Sequence, residues 1–440
     1  MKNFSKNLFI AFLMFLAIYQ TTELWFEEYS SHNFFSFISA GSLTGGQNAF
    51  YGINRLIISL GDNKAICRSE NVLDTSYRAD FDKLIANAVS KGEAADAQID
   101  WTHLFNNRCV IYDISNSISS DDFTKALGIS QKQLILPDNI DMVLLIPNTT
   151  ENVVQTYVSG SGKTVCFSLK RGDLAQKGID AIAQFTLESD DLNYISSRGN
   201  GFNIFSSNTF IPTPRGTQST IDVINPAMDG ERIDTKALEA LVSGFFENPA
   251  VKWSSVVNNV YSYSDENNVV KYNLNGVLEY SGYNASDEQS GEKTDLMKSY
   301  AAAEEFLKKD IGIENSVVLT SIAIQDDKPV FCFDYTFNDL PVYLSDELKA
   351  GLGLRSAIEV TVSKGSVVRM RRYMCTLKSG SEKQTVETDF VKAVDNVYNI
   401  AESEDTVDSV ELVYKINGRQ ENVPLCWRVD MGGKSYWEKA

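Results

Sequence analysis

The chain has 440 residues, and at ~100–200 residues per domain two to four domains are expected. An apolar share of 43% and a charged share of 22% are ordinary for globular proteins and exclude collagen-like, coiled-coil or broadly disordered chains. A formal charge of −18 argues against nucleic acid and against adsorption to anionic lipid, because both require clustered Lys and Arg.

The first element is hydrophobic. Lys2 and Lys6 precede a wholly apolar run, residues 8–19, inside an uncharged stretch of 16 residues from Asn7 to Thr22. At ~1.5 Å per residue that stretch reaches roughly 24 Å, slightly short of a ~30 Å hydrocarbon core. The expected span is therefore 4–26, with Lys2 and Lys6 as anchors at one membrane interface and Trp25 at the other. Lys2 and Lys6 lie before the span and Glu23, Glu27 and Glu28 after it. The positive-inside rule then predicts a single-pass protein of the cell membrane, with a cytoplasmic N-terminus and the bulk of the chain extracytoplasmic. No small-x-small cleavage site follows the run, which favours an anchor over a removed signal peptide. On a 3.6-residue period Phe12, Phe15, Tyr19, Glu23 and Phe26 share one face, and Gln20 adds a polar group beside it. This face is the candidate interface for a partner membrane helix; the alternative is a polar cap facing lipid headgroups.

Residues 30–47 read as a juxtamembrane segment, and segments then alternate in type. A strand pair is predicted over 55–66 with a turn at Gly61-Asp62-Asn63. A helix follows over 76–88, with Phe81, Leu84, Ile85 and Ala88 on one face. Next come a strand over 109–114, a short helix over 121–127 ended by Gly128, and strands over 142–146, 153–158 and 164–169. A helix over 173–185 offers Leu174, Ile179, Ile182 and Phe185 to the core, and the proline-bearing stretch 209–230 reads as a connector.

Beyond it a helix followed by a strand meander recurs. The first helix starts at the N-cap residue Asp234 and carries Leu238, Leu241, Val242, Phe245 and Phe246. Strands 260–263, 269–274 and 277–280 follow, with a turn at Asn275-Gly276. The second helix presents Leu296, Tyr300, Ala303 and Leu307, before strands 317–324, 329–336, 357–362 and 367–375. The third presents Phe390, Val394, Val397, Tyr398 and Ala401, before strands 410–416 and 423–430. The expected fold class is α+β: an N-terminal transmembrane helix, an α+β domain, then repeated helix-on-antiparallel-sheet units. The expected divisions are 1–30 (cytoplasmic tip and anchor), 31–225, 226–293 and 294–440.

The search for chemistry is negative. Residues 159–164, Ser-Gly-Ser-Gly-Lys-Thr, echo the end of a phosphate-binding loop, but Tyr157 stands where its first Gly is needed and a strand rather than a helix follows. The two histidines, His32 and His103, lie in no nucleophile or zinc signature. Six widely spaced cysteines show no zinc-ligand spacing; Cys166, Cys332 and Cys426 sit in apolar strand-like runs as small buried hydrophobes, and their even number leaves disulfides open. Acidic pairs such as Asp121-Asp122 and Asp326-Asp327 read as solvated turns. No catalytic residue, metal or cofactor is expected.

Three stretches carry a resemblance. They are residues 19–26 running into 30–35; Glu247-Asn248-Pro249 with 260–263 and 269–280; and the unit running through Leu340-Pro341-Val342-Tyr343. In these, and in size and layout, the chain resembles the YycH family in its clostridial-type form. The resemblance implies a YycI-like helix-on-sheet fold. It also implies a non-enzymatic role as accessory regulator of the sensor histidine kinase WalK, which controls cell-wall metabolism through the response regulator WalR. The implied partners are a WalK-like kinase and a YycI-like protein, met partly through transmembrane helices; a homo- or hetero-dimer stays open. Two alternatives remain beside it: an anchored binding module for a wall fragment or peptide, and an envelope hydrolase, which would need a deep pocket with converging carboxylates.

Overall fold

The computed structural model describes residues 53–68, 75–129, 135–148, 153–170, 179–180, 182–186, 192–214, 216–246, 248–249, 252–283, 295–309, 317–386, 389–401 and 405–440. The expected anchor and docking residues (Lys2, Lys6, Phe12, Phe15, Tyr19, Gln20, Glu23, Trp25 and Phe26) lie outside these, as do His32 and residues 30–47. Among the described residues no helix is long and apolar enough to cross a membrane.

The first half of the chain builds a nine-stranded antiparallel sheet. In chain order its elements are β1 (Ile53–Gly61), β2 (Lys64–Arg68), α1 (Thr75–Lys91), β3 (Glu93–Asp96), α2 (Trp101–Phe105), β4 (Arg108–Ser119), α3 (Ser120–Ala126), β5 (Asn139–Asn148), β6 (Val153–Gly160), β7 (Lys163–Lys170), β8 (Asn193–Ser196) and β9 (Phe210–Thr213). The strand order is β3-β7-β6-β5-β4-β1-β2-β8-β9. Asp62 and Asn63 (φ 53° and 55°) turn β1 into β2, a left-handed pair whose twist matches that of the flanking strands. Ser161 and Gly162 (φ 50° and 72°) do the same between β6 and β7, so the Ser-Gly-Ser-Gly-Lys-Thr run is a hairpin turn and its rejection as a phosphate loop holds. Helix α1 covers one face, and its apolar stripe Phe81, Leu84, Ile85 and Ala88 is at most 1% exposed. Helix α3 stops before Gly128, as its sequence predicts, and its N-terminus is capped by the Ser119 hydroxyl.

The stretch 209–230 is a correction: it is no connector. It holds β9 and then β10 (Thr217–Ile224), the centre of a separate three-stranded sheet. Pro212 is tolerated because β9 is the sheet's edge, where a missing N–H breaks no ladder. Ile221 and Val223 of β10 are buried.

The remaining elements are β11 (Met228–Asp229), β12 (Arg232–Ile233), α4 (Thr235–Ser243), β13 (Trp253–Val257), β14 (Val260–Ser264), β15 (Asn268–Asn273), β16 (Val277–Gly282), α5 (Leu296–Lys309), β17 (Val317–Gln325), β18 (Lys328–Phe337), β19 (Leu340–Leu344), α6 (Asp346–Leu352), β20 (Ile358–Ser363), β21 (Ser366–Tyr373), β22 (Thr376–Thr385), α7 (Phe390–Ala401), β23 (Val407–Ile416), β24 (Gln420–Val423), β25 (Leu425–Met431) and β26 (Lys434–Lys439). A twelve-stranded sheet runs β13-β14-β15-β16-β21-β20-β18-β19-β23-β25-β26, with β17 on the other edge of β18. The sheet is unbroken across residue 293, because β16 pairs with β21. Strands β22, β10 and β24 form the three-stranded sheet.

Helices lie on the large sheet where their sequence stripes demand. Asp234 caps α4 by accepting from the Lys236 and Ala237 amides, and Leu238 and Val242 are buried. Tyr300, Ala303 and Leu307 of α5 pack toward β18, β20 and β21; Phe390, Ala393, Val394 and Val397 of α7 pack toward β25 and β26. The six cysteines, all described, form no disulfide; five are buried and Cys426 is half-buried.

Trp427 of β25 is fully buried beneath α7, whereas Trp253 on the edge strand β13 is 64% exposed. Trp427→Ala is therefore expected to cost ~3–5 kcal/mol in urea unfolding. Trp253→Ala is expected to stay within ~0.5 kcal/mol of the parent.

Candidate functional site

A cleft of about 1230 Å³ is lined by both large sheets. One wall comes from β1, β4, β5 and the segment before α2; the other comes from β18, β19, β23, β25, β26 and α6. Loop 197–209 stitches the walls together. Ser206 and Val407 are joined by a backbone hydrogen bond of 2.9 Å, as are Val407 and Ile204. The Ser206 hydroxyl also donates to the Asp408 carboxylate at 2.9 Å.

The cleft's charges follow from strand alternation. In β25, Leu425, Trp427, Val429 and Met431 face the core, which turns Cys426, Arg428 and Asp430 to the opposite, half-buried face. Register then places Glu411 of β23, Arg428 of β25 and Trp437 of β26 in one row. Across the parallel contact of β19 with β23, Tyr343 lies beside Lys415.

Around Arg428 the polar groups interlock. Its Nε donates to Asp430 Oδ1 at 3.1 Å, and its Nη1 lies 3.7 Å from Glu411 Oε2. The Tyr343 hydroxyl donates to Glu411 Oε2 at 3.3 Å. Ser435 and Ser409 donate to the two Asp430 oxygens at 2.6 and 2.7 Å. The guanidinium stands 4.6 Å from the centre of the Tyr343 ring and 5.9 Å from that of Trp437. Burial works against the Arg428 charge, but Tyr343, Glu411 and Asp430 outweigh it and hold its pKa above the ordinary value. Burial, then the Glu411 charge, pushes the Tyr343 phenol well up.

The facing wall carries a second pair. Arg55 of β1 and Asp113 of β4 are cross-strand partners, and Arg55 Nε donates to Asp113 Oδ2 at 2.7 Å. Burial disfavours the Arg55 charge, yet Asp113 and, among others, Glu411 from the opposite wall keep its pKa raised. Glu411 thus sits in the field of an arginine on each wall. Deeper, Asp334 of β18 is 5% exposed and accepts from the Ala357 amide at 2.9 Å and from the Thr320 hydroxyl at 3.0 Å. Burial raises its pKa. Burial, and then the Asp113 charge, likewise raises that of Asp141 on β5.

No group of His, Cys, Asp and Glu able to hold a metal occurs among the described residues. His103 is exposed on α2. Apart from Ser159, Gly162, Lys163 and Thr164, which the sequence placed in a rejected phosphate loop, and Tyr343, in a stretch that carries the resemblance, none of the cleft residues was singled out in the sequence. The signal that could have found them is a charge at a half-buried position inside an apolar strand, as in Leu-Cys-Trp-Arg-Val-Asp-Met.

Among solved structures the fold is similar to the crystal structure of YycH from Bacillus subtilis. The TM-score is 0.56 at 14% identity, covering 89% of this chain and 96% of that chain. The chain therefore has a YycH-like α+β fold. No protein-family model matches the sequence, and no curated protein matches it.

Asp334 yields a pH prediction. Asn can still accept from the Ala357 amide, and the Thr320 hydroxyl has the Cys332 carbonyl at 3.1 Å to donate to. Asp334→Asn is thus expected to match the parent at pH 7 or exceed it by ~1 kcal/mol. A carboxyl whose pKa is raised by folding adds stability below its unfolded pKa of ~3.9, and that stability is lost as pH rises through the folded value. The parent should accordingly gain on the variant as pH falls. Urea midpoints between pH 7 and 4 measure this, and a large loss in the variant at pH 7 would mean that the charged form is required.

Proposed function

We propose that this protein is a membrane-anchored, non-catalytic accessory regulator of the YycH kind, acting from outside the cell on a WalK-like sensor histidine kinase together with a YycI-like protein. The observation that carries the reading is the YycH-like fold over 89% of the chain. The sequence resemblance supports it independently. So does the apolar run 8–19 between Lys2, Lys6 and the following glutamates, which orients a single span with the N-terminus in the cytoplasm. In this reading residues 1–30 are tip and anchor, 31–225, 226–293 and 294–440 are exterior divisions, and Phe12, Phe15, Tyr19, Gln20, Glu23 and Phe26 form the face that meets partner helices.

The cleft favours a second reading, an exterior binding module. Its inner carboxylates are engaged: Asp113 by Arg55, Glu411 by Tyr343 and Arg428, Asp430 by two hydroxyls and Arg428. Groups so occupied suit holding a ligand better than exchanging protons with one. The two readings combine if the cleft's occupant modulates the regulator.

The anchor is testable by exchange. Replacing residues 4–26 with an unrelated membrane helix should leave the protein in the membrane but alter output from a kinase-dependent reporter in the same direction as deletion of the protein. An unchanged reporter would rule out docking through this helix.

A further inference from the structure

The cleft's chemistry points to its occupant. We propose that it is a binding site for a cationic peptide segment, one that brings Lys or Arg side chains on an extended backbone.

Three observations select this class. The lining holds eight carboxylates against five Lys and Arg side chains, so the site is net acidic. Four of the five cations are already matched: Arg55 to Asp113 at 2.7 Å, Arg428 to Asp430 at 3.1 Å, Lys349 to Asp346 at 3.1 Å and Lys163 to Asp96 at 3.9 Å. Asp141 and Asp408, in contrast, have no ion-pair partner among the described residues. Asp408 accepts from the Ser206 hydroxyl, and Asp141 sits one residue from Met142, the cross-strand partner of Asp113. Asp141 and Asp408 are therefore carboxylates of the lining whose charge no cation of the described residues offsets, and an incoming cation relieves that excess.

Aromatic groups argue against the main competitor, a saccharide, which would need an open ring face to stack on. Arg428 stands over the Tyr343 ring at 4.6 Å, and Lys415 over Trp437 at 4.8 Å. Size argues against a small metabolite, since about 1230 Å³ exceeds the ~300–1,000 Å³ typical of such sites. The inference stands apart from the kinase reading, because it concerns the cleft alone.

The test uses the full chain in detergent micelles at physiological salt, titrated into fluorescein-labelled tetra-arginine amide and, separately, tetra-glutamine amide, read by fluorescence anisotropy. Saturable binding of the arginine peptide is expected, with none of the glutamine peptide. Asp141→Lys with Asp408→Lys should weaken binding at least tenfold. Glu231→Lys with Glu266→Lys makes the same change in net charge at exposed positions outside the cleft and should weaken it less than twofold. Asp141 is exposed, so Asp141→Lys alone, with at least a threefold effect, decides the matter if Asp408→Lys disturbs the fold. Equal losses in the two double variants would reduce the effect to the chain's overall charge and overturn the proposal. So would absence of saturable binding, or displacement of the peptide by chitotetraose. The reporter assay of the anchor exchange is a separate readout, so failure of either reading leaves the other standing.

Discussion

Three residue pairs, Val342–Tyr414, Tyr343–Lys415 and Leu344–Ile416, hold the large sheet together. They form the one parallel ladder among the described strands; every other ladder is antiparallel. On one side lies the array from β13 to β19, and on the other the β23-β25-β26 meander. The first array itself needs one non-local pairing, Val277 with Tyr373 between β16 and β21, and the ladder joining the two arrays closes a second loop that includes α6, β20, β21, β22 and α7. Such non-local closure is entropically costly before its contacts form, so it must be secured by what it buries. Val342, Leu344, Tyr414 and Ile416 are all at most 2% exposed, which supplies that apolar gain.

The same ladder creates the cleft wall. Because Tyr343 is brought beside β23, its hydroxyl reaches Glu411 and its ring lies under Arg428. An apolar core runs continuously from Leu56 on β1 to Val410 on β23, so the two sheets share buried surface while the charges keep to the cleft. Desolvating such charges costs more than an isolated pair returns, and a pair is tolerated only where hydrogen bonds complete it. Ser409 and Ser435 do this for Asp430, and Tyr343 does it for Glu411. A polar cluster that demanding serves geometry: each member fixes the position of the next.

Helix faces and tight turns were legible in the sequence because they are local. Phe81, Leu84, Ile85 and Ala88 repeat at helical spacing, Asp62-Asn63 supplies the left-handed pair that a two-residue turn requires, and Gly276 (φ 88°) supplies the one left-handed residue of the turn between β15 and β16. Strands whose exposure defeats alternation were not legible. Strand β13 is exposed throughout, and β22, Thr-Leu-Lys-Ser-Gly-Ser-Glu-Lys-Gln-Thr, is held by pairing with β10 rather than by burial of an apolar face. Strand β19 hides behind Pro341, and β9 behind Pro212. The cleft was invisible for a further reason. Arg55 and Asp113 are 58 positions apart, and only register makes them partners. A single sequence carries the charge but not the pairing.

What the cleft can do follows from which oxygens are left. A carboxyl that moves protons for a reaction needs access to substrate as well as a tuned pKa. Asp334 has the raised pKa, but both its oxygens are spent on the Ala357 amide and the Thr320 hydroxyl, so it builds the wall. Asp430 and Glu411 are likewise committed to their neighbours. The groups that face the opening with capacity to spare are Asp141 and Asp408, and neither has a cation within ion-pair reach among the described residues. Their surroundings hold negative charge that the protein itself does not neutralise, at a place where two sheets leave room for a chain. Recognition by charge then needs no catalytic step, and a fold that offers it can report the presence of a partner simply by being occupied.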